Sequence, residues 1–362
     1  MISSTLIILQ PDDWHVHLRD GSMLAAVLPF TTRVFGRAIV MPNLKKPITT
    51  VESAIAYRKR IKNFCAEGIT DERLVTTNKF NPLMTMYLTD TLDSNELVRG
   101  HAENVIIAAK LYPAGVTTNS VSGVTDIKAI NPLLETMEKI GMPLLIHGEV
   151  NDPEVDIFDR ERIFIEKYLI PLHRQHQGLK IVLEHITTAD AVSFIESTNL
   201  NICATVTPHH LHLNRNAMFQ EGLCSDFYCL PVLKRDHHKQ ALRRAVTSGN
   251  PKFFLGTDSA PHPRNRKETS CGCAGIFNAS HAIESYTQVF EEEGKLDLLE
   301  AFTSKNGPKF YGLPLNQSRI VLEKKQQLVP KQINWIAADH KKISLVPLHA
   351  GKRLLWSLKN IC

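Results

Sequence analysis

Two histidines and an arginine alternate in the stretch Asp-Trp-His-Val-His-Leu-Arg near the start of the chain. Alternate residues of a β-strand share one face, so His15, His17 and Arg19 are predicted to point the same way and Trp14 to face a layer of helices. Two imidazoles on one face can ligate one metal ion. A single His-x-His pair is a weak signal, because two ordinary buried histidines would give the same pattern.

Three more groups that can bind a metal ion follow apolar runs further along the chain. His147 ends Pro-Leu-Leu-Ile-His, His185 ends Ile-Val-Leu-Glu-His, and Asp258 lies in Phe-Leu-Gly-Thr-Asp-Ser-Ala-Pro-His. Taken singly, each histidine is explained as a core residue bonded to backbone, and Asp258 as a helix N-cap. Four histidines at the ends of three predicted strands together favour zinc, with a carboxylate that can also accept a proton.

Lys110 places an amine inside the apolar run Ile-Ile-Ala-Ala-Lys-Leu-Tyr. A buried ammonium is costly unless it is paired or neutralised. Three interpretations stay open: a Schiff-base lysine, a side chain that reaches the mouth of the fold, or a carbamate formed with CO2 that bridges two cations. The nearby histidines favour the carbamate, because metal ions would stabilise it.

Eight short apolar runs would hold these side chains, and we interpret them as strands: Asp13–Leu18, Ala38–Met41, Leu83–Leu88, Ile106–Leu111, Leu144–His147, Ile181–His185, Ile202–Val206 and Phe253–Gly256. Helical periodicity between them is clearest in Thr50–Phe64, Ile127–Ile140 and His237–Ser248. Eight such units predict an α/β fold with a (β/α)8 barrel of the TIM type. These barrels place their chemistry at the C-terminal ends of the strands, where the candidate ligands fall.

Three further segments complete the predicted organisation of one barrel domain over residues 1–362. Residues 113–125 are rich in Gly, Ser and Thr and predict a mobile loop after the fourth strand. Residues 66–79 are polar and irregular, as in a surface insertion. Residues from about 314 to 362 contain the strand-like runs Arg319–Glu323 and Ile333–Ala337, and predict a small C-terminal extension packed on the barrel.

Composition argues against several classes of function. The net charge of +5 over 362 residues is mild, and no basic stripe or long apolar run suggests a nucleic-acid or membrane partner. Seven cysteines in a chain of this length do not predict a disulfide framework, and Cys271 and Cys273 have no second close pair to complete a zinc site. No signal peptide is recognised, so a cytoplasmic location is expected.

Six motifs in sequence order resemble the amidohydrolase superfamily and, within it, the class II dihydroorotases. They are Asp-Trp-His-Val-His-Leu-Arg-Asp-Gly, Met-Pro-Asn-Leu, Ala-Lys-Leu-Tyr-Pro, His-Gly-Glu, Glu-His-Ile-Thr-Thr and Gly-Thr-Asp-Ser-Ala-Pro-His. The resemblance runs from about Pro11 to Trp356. It implies reversible cyclisation of N-carbamoyl-L-aspartate to (S)-dihydroorotate with loss of water, the third step of pyrimidine biosynthesis, in a homodimer with two zinc ions per subunit.

The resemblance also implies a role for each site residue. The implied metal ligands are His15, His17 and Asp258 for the more buried zinc, His147 and His185 for the second zinc, and Lys110, as N6-carboxylysine, between the two. The implied substrate contacts are Arg19, Asn43 and His262 to the carboxylate, and the backbone of Leu230 and Ala274 to the ring. Thr117 and Thr118 match the tip of a loop that closes over substrate. A hydroxide between the zinc ions would attack the ring amide, and Asp258 would carry its proton to the leaving nitrogen.

Two alternatives remain at this point. A hydantoinase or allantoinase would share the metal ligands, although Arg19, Asn43 and His262 favour a ring that bears a carboxylate. A non-catalytic scaffold on the same barrel would be expected to have lost ligands, whereas all six candidates are present in this sequence.

Overall fold

The computed structural model describes residues 5–66, 80–220, 222–336 and 342–361. Eight parallel strands form one sheet in sequential order: β2 (Asp13–Val16), β3 (Arg37–Val40), β4 (Asn81–Tyr87), β5 (Ile106–Leu111), β6 (Leu144–His147), β7 (Ile181–Glu184), β8 (Ile202–Val206) and β9 (Phe253–Leu255). A bridge from Val16 to Ser259 brings the last strand back to the first. The predicted (β/α)8 barrel is confirmed, and the bounds of all eight strands lie within two residues of the predicted ones.

Helices follow the strands around the outside of the barrel. The longer ones are α1 (Gly21–Thr32), α2 (Val51–Ala66), α3 (Ser94–Ala102), α4 (Asn131–Ile140), α7 (Ala189–Ser197), α9 (Asp236–Val246) and α11 (Ala282–Glu292). The shorter ones are α5 (Arg160–Phe164), α6 (Ile170–Gln175), α8 (Pro208–His212), α10 (Arg264–Lys267) and α12 (Asn306–Tyr311). The helices bury their apolar faces against the outward side chains of the strands, which forms the larger hydrophobic core. No helix in these described ranges is long and apolar enough to cross a membrane.

Trp14 departs from the prediction that it faces the helix layer. It clusters with Ala108, Leu145 and Phe254, which come from different strands and can meet only inside the barrel. The register of β2 shifts between Asp13 and Val16, and this irregularity lets two successive side chains turn inward. Strict alternation therefore fails at this point of β2, where the strand enters the barrel.

Helix α12 covers the end of the barrel opposite the predicted site. The ring of Tyr311 stacks on Trp14 with centroids 4.6 Å apart. A Cβ atom at Gly307 would lie 2.0 Å from Nε1 of Trp14, so only glycine allows the helix to approach this closely. The amide of Asn306 donates to the carbonyl of Phe253 at the start of β9, which fixes the helix at the N-terminal ends of the strands.

The C-terminal residues form small antiparallel sheets. Strand β10 (Arg319–Glu323) lies between β1 (Thr5–Leu9) and β15 (Ser357–Ile361), while β11 (Gln327–Leu328) pairs with β14 (Arg353–Leu354) and β12 (Ile333–Ile336) with β13 (Lys342–Leu345). Buried Trp356 donates to Glu291 of α11, so this segment packs on the barrel as predicted. The sequence did not predict β1 as a strand. Of the insertion predicted at residues 66–79, Ala66 ends α2, and residues 67–79 lie outside the described residues, as does Ala337.

Candidate active site

The end of β2 and the end of β9 bring three ligand atoms together. Nε2 of His15 and Nε2 of His17 are 3.3 Å apart, and Oδ1 of Asp258 lies 3.4 Å and 3.1 Å from them. All three side chains are buried. Two imidazole nitrogens and a carboxylate oxygen that converge on one point, with no side-chain cation between them, are the donor set and arrangement expected of a zinc site.

Left-handed backbone conformations turn several of these residues toward the barrel mouth. The φ angles are +58° at Arg19, +43° at His185 and +44° at Asp258. Non-glycine residues rarely adopt positive φ, and such strain is concentrated at functional sites because the surrounding fold must hold it. The positive φ at His185 directs this side chain into the site, although the side chain of the preceding residue, Glu184, also faces inward.

His147 and His185 form a second group of imidazoles next to the first. Their ring centroids are 4.8 Å apart, and the centroid of His185 is 5.0 Å from that of His15. Nδ1 of His185 is buried and has no hydrogen-bond partner in the described structure. A buried nitrogen with a free lone pair costs free energy unless a ligand satisfies it, so it fits the edge of a metal centre.

Lys110 lies at the bottom of the site, fully buried. Its Nζ atom contacts a carboxylate oxygen of Glu184 and lies 4.8 Å from the centre of the Tyr112 ring. The prediction that this amine belongs to the site is therefore supported by its position. The alternative that it reaches the solvent at the barrel mouth is wrong, because its relative exposure is 0%.

Glu184 is a site residue that the sequence analysis missed. It is opposite His147 in the register of β6 and β7, so it faces the barrel interior, and its Oε1 atom lies 3.0 Å from Nδ1 of His15. If His185 faces the barrel interior, strict alternation along the strand predicts that Glu184, the residue before it, faces outward. The signal that could have found it is a carboxylate at the end of the apolar run Ile-Val-Leu.

Two of the four histidines have one ring nitrogen bonded to a side-chain oxygen: His17 to Oδ1 of Asn43 at 2.9 Å and His147 to Glu149 at 2.9 Å. Nδ1 of His15 lies at ion-pair distance, 3.0 Å, from the Glu184 carboxylate. Partners of this kind set the orientation and tautomer of metal-binding histidines and strengthen their binding. Asn43 thus orients His17, in addition to the substrate contact predicted for it.

The charges of the cluster favour a bound cation. Burial lowers the pKa of His17 to about 4 and that of His185 well below its usual range. Burial also acts to lower the pKa of His15, but the carboxylates of Glu184 and Asp258 outweigh it and raise that pKa to about 9. Without metal, a proton on His15 would offset the buried carboxylates, and a metal ion would take its place.

All the residues predicted to hold the substrate except His262 line a small cavity of about 20 Å³ beside this cluster. Arg19, Asn43, Leu230 and Ala274 line it. Nη2 of Arg19 lies 3.0 Å from Nε2 of His262, which is also 3.0 Å from the carbonyl oxygen of Ala274. A guanidinium at the edge of a metal-binding cluster can pair with a carboxylate.

The loop at residues 113–125 reaches over this cavity. Thr117 and Thr118 line it, the amide of Asn43 donates to the carbonyl of Thr118, and the hydroxyl of Thr118 donates to the carbonyl of Ala274. The loop is therefore in a closed position, in which little space remains for a ligand. Its mobility stays a prediction.

A second group of possible metal ligands lies beside the site: His209, His210 and Cys229. Both ring nitrogens of His210 already have oxygen neighbours, Thr207 at 2.8 Å and the carbonyl of Pro231 at 3.1 Å, and the thiol of Cys229 contacts the same carbonyl. The group is therefore explained as a hydrogen-bond network. Cys271 and Cys273 belong to no such group among the described residues.

Comparisons with known proteins agree with this geometry. The model of the amidohydrolase family matches residues 2–329. The chain is 58% identical to a dihydroorotase of Synechococcus sp. strain CC9605 over 359 residues, covering 99% of this chain and 98% of the relative. It is 54% identical to a dihydroorotase of Sphingopyxis alaskensis over 357 residues, covering 99% and 100%.

Solved structures give the same result. The dihydroorotase of Saccharomyces cerevisiae in complex with 5-fluoroorotic acid superposes with a TM-score of 0.87 at 34% identity, covering 98% of both chains. An L-hydantoinase of Arthrobacter aurescens superposes with a TM-score of 0.77 at 14% identity, covering 98% of this chain and 83% of the other, and shares the fold alone. The chain therefore belongs to the amidohydrolase family and, within it, to the dihydroorotases, hydrolases that act on a cyclic amide.

Proposed function

We propose that this chain interconverts N-carbamoyl-L-aspartate and (S)-dihydroorotate with two zinc ions per subunit, in a homodimer. The observation that carries the proposal is the convergence of His15, His17 and Asp258 beside a buried lysine, with Arg19 at the edge of the cavity. The metal ions would activate the cyclic amide for hydrolysis, and the Arg19 guanidinium would bind the substrate carboxylate.

The metal ligands divide into two sets. His15, His17 and Asp258 would hold one ion and His147 and His185 the other, with Lys110 between them. Bound zinc lowers the pKa of a coordinated water toward about 7 and polarises a carbonyl. The donor set supports zinc, because imidazole nitrogens and carboxylate oxygens in a closed, buried site are typical of that ion.

Lys110 would bridge the two ions as a carbamate. The lysine ammonium first loses one proton. The neutral amine then attacks the carbon of CO2, a C–O π bond opens to give the carboxylate as the N–C bond forms, and a second proton leaves the nitrogen, so a cation becomes an anion. Its full burial near four imidazoles supports this form, because a carbamate between two divalent ions needs no other counter-ion. In the unmodified form the Glu184 carboxylate supplies the compensating charge instead.

Asp258 would move the proton during catalysis. Its carboxylate lies at the floor of the cavity and contacts both His15 and His17, so it can hold a proton at Oδ2 while Oδ1 faces the ligand set. In the hydrolytic direction it would pass that proton to the leaving ring nitrogen, and in the biosynthetic direction it would take it back.

Arg19, Asn43 and His262 would hold the substrate carboxylate, while backbone at Leu230 and Ala274 would contact the ring. We expect Arg19→Met to raise KM by about 10- to 100-fold, because a charge-assisted hydrogen bond to a carboxylate is worth about 1.5–3 kcal/mol. Steady-state kinetics with dihydroorotate, together with zinc analysis, will measure this. An unchanged KM would show that the arginine does not bind the substrate anion.

Glu184 would fix His15 for metal binding. We expect Glu184→Gln to weaken zinc binding by about 10- to 100-fold, because the uncharged amide orients the imidazole less strongly. Competition with a chelator measures that affinity without any turnover. Glu284→Gln is the matched control: Glu284 is equally buried but pairs with Arg33, and zinc affinity should not change. Equal zinc affinity in the two variants would show that Glu184 does not support metal binding.

The test of the proposed reaction is a comparison of substrates. The purified, zinc-loaded protein should open the ring of dihydroorotate and close that of N-carbamoyl-L-aspartate, with much slower turnover of hydantoin and allantoin. Faster turnover of either neutral ring would make the chain a different cyclic amidohydrolase.

A further inference from the structure

A second cavity lies outside the loop that covers the active site. It is an open groove of about 990 Å³ at the C-terminal end of β3, and Arg19 and Asn43 line both this groove and the inner cavity. The loop separates the two: Thr117 and Thr118 line the inner cavity, while Asn119 lines the groove. Movement of the loop away from this position, which the sequence predicts, would make the groove and the active site continuous.

The groove is strongly positive. Its lining contains the four cations Arg19, Lys45, Lys46 and Arg60 and a single carboxylate, Asp20. Arg60 is already paired with that carboxylate, with Nη2 to Oδ2 at 2.8 Å. Lys45 and Lys46 are exposed and have no ion-pair partner in the described part of the chain. The two lysines therefore carry uncompensated charge into a groove that leads to Arg19.

The backbone holds both lysines at this place. They lie between Pro42 and Pro47 in the turn after β3, where the amides of Leu44 and Ile48 both donate to the carbonyl of Pro42. The two prolines, and a carbonyl that accepts two hydrogen bonds, restrict the conformation of the turn. The turn also contains Asn43, which orients His17 at 2.9 Å. The charged groups thus stand on the same rigid segment as a residue of the active site.

We propose that Lys45 and Lys46 make this groove an electrostatic vestibule that captures the carboxylate-bearing substrate before the loop closes over it. The inference rests on the proposed function, because it needs an anionic substrate. A concave surface of one charge raises the local concentration of an oppositely charged small molecule and the rate at which it associates. Screening limits such an effect to about 8 Å at physiological ionic strength, so it must weaken with added salt.

The test is the double charge reversal K45E/K46E in the full-length, zinc-loaded protein. We expect kcat/KM for N-carbamoyl-L-aspartate to fall by about 10-fold at low ionic strength, through KM, with kcat within about 2-fold of the unmodified protein. The difference should shrink to about 2-fold near 0.5 M salt. Zinc content should not change, since neither lysine is among the metal ligands.

The control K139E/K309E makes the same change in net charge at the opposite end of the barrel. Lys139 lies in the last turn of α4 and Lys309 lies in α12, and both are exposed. This variant should keep its kcat/KM at every salt concentration. If K45E/K46E has the same kcat/KM as the control, or if its kcat/KM falls equally at low and high salt, the vestibule proposal is wrong while the proposed reaction stands. An unmodified protein with no turnover overturns the proposed reaction and the vestibule together.

Discussion

Asp258→Asn is expected to lower kcat by about 10²- to 10⁴-fold while the protein keeps its zinc. The amide keeps the shape and one oxygen of the carboxylate but cannot take up the proton. Asparagine also tolerates the left-handed backbone at this position, where φ is +44°, so the fold should be preserved. Single-turnover kinetics and zinc analysis of the same preparation measure both quantities.

The matched control for this change is Asp297→Asn, the same substitution at an exposed carboxylate distant from the site in sequence and fold. It should behave as the unmodified protein. Near-normal turnover of Asp258→Asn would show that another group carries the proton. Loss of zinc together with turnover would instead make metal binding the main role of Asp258.

Lys110→Ala is expected to lower activity by about 10²- to 10³-fold or more, because it removes the group that would bridge the two ions. In the metal-free protein, where Lys110 is the unmodified ammonium that pairs with Glu184, the change should also destabilise the fold, because breaking such a buried pair costs about 3–5 kcal/mol. Activity at several concentrations of added small acids and amines, and thermal unfolding with and without zinc, are the measurements.

Chemical rescue distinguishes the three interpretations of this lysine. A short carboxylic acid should restore part of the activity of Lys110→Ala, because its carboxylate can take the place of the carbamate between the two ions. Rescue by a primary amine but not by an acid would point to a Schiff base. Full activity without any addition would mean that Lys110 serves only as the counter-ion of Glu184.

The barrel could be predicted from sequence because its signals are local. Each strand is a short apolar run between polar segments, and burial on both faces makes such runs continuous. His147 and Lys110 lie near the ends of such runs, and the fold brings all these strand ends to one end of the barrel. Strand β1 was missed because five residues at the edge of a small sheet give little pattern.

Glu184 and Trp14 were not placed correctly from the sequence, because both lie where the alternation of inward and outward side chains fails. The register shift in β2 turns Trp14 inward, and the positive φ at His185 lets both Glu184 at the end of β7 and the following His185 face the site. Such backbone conformations are set by long-range contacts, here with Tyr311 for Trp14 and with Thr205 for the amide of His185. They leave no local pattern in the sequence.

A crystal structure with dihydroorotate or N-carbamoyl-L-aspartate bound tests the proposed metal centre most directly. We expect two zinc ions, one at His15, His17 and Asp258 and one at His147 and His185. We also expect three additional atoms on Nζ of Lys110 between the ions, and a substrate carboxylate against Arg19. An unmodified Lys110 paired with Glu184 beside a single metal ion, or a substrate carboxylate bound away from Arg19, would show that the proposed centre is wrong.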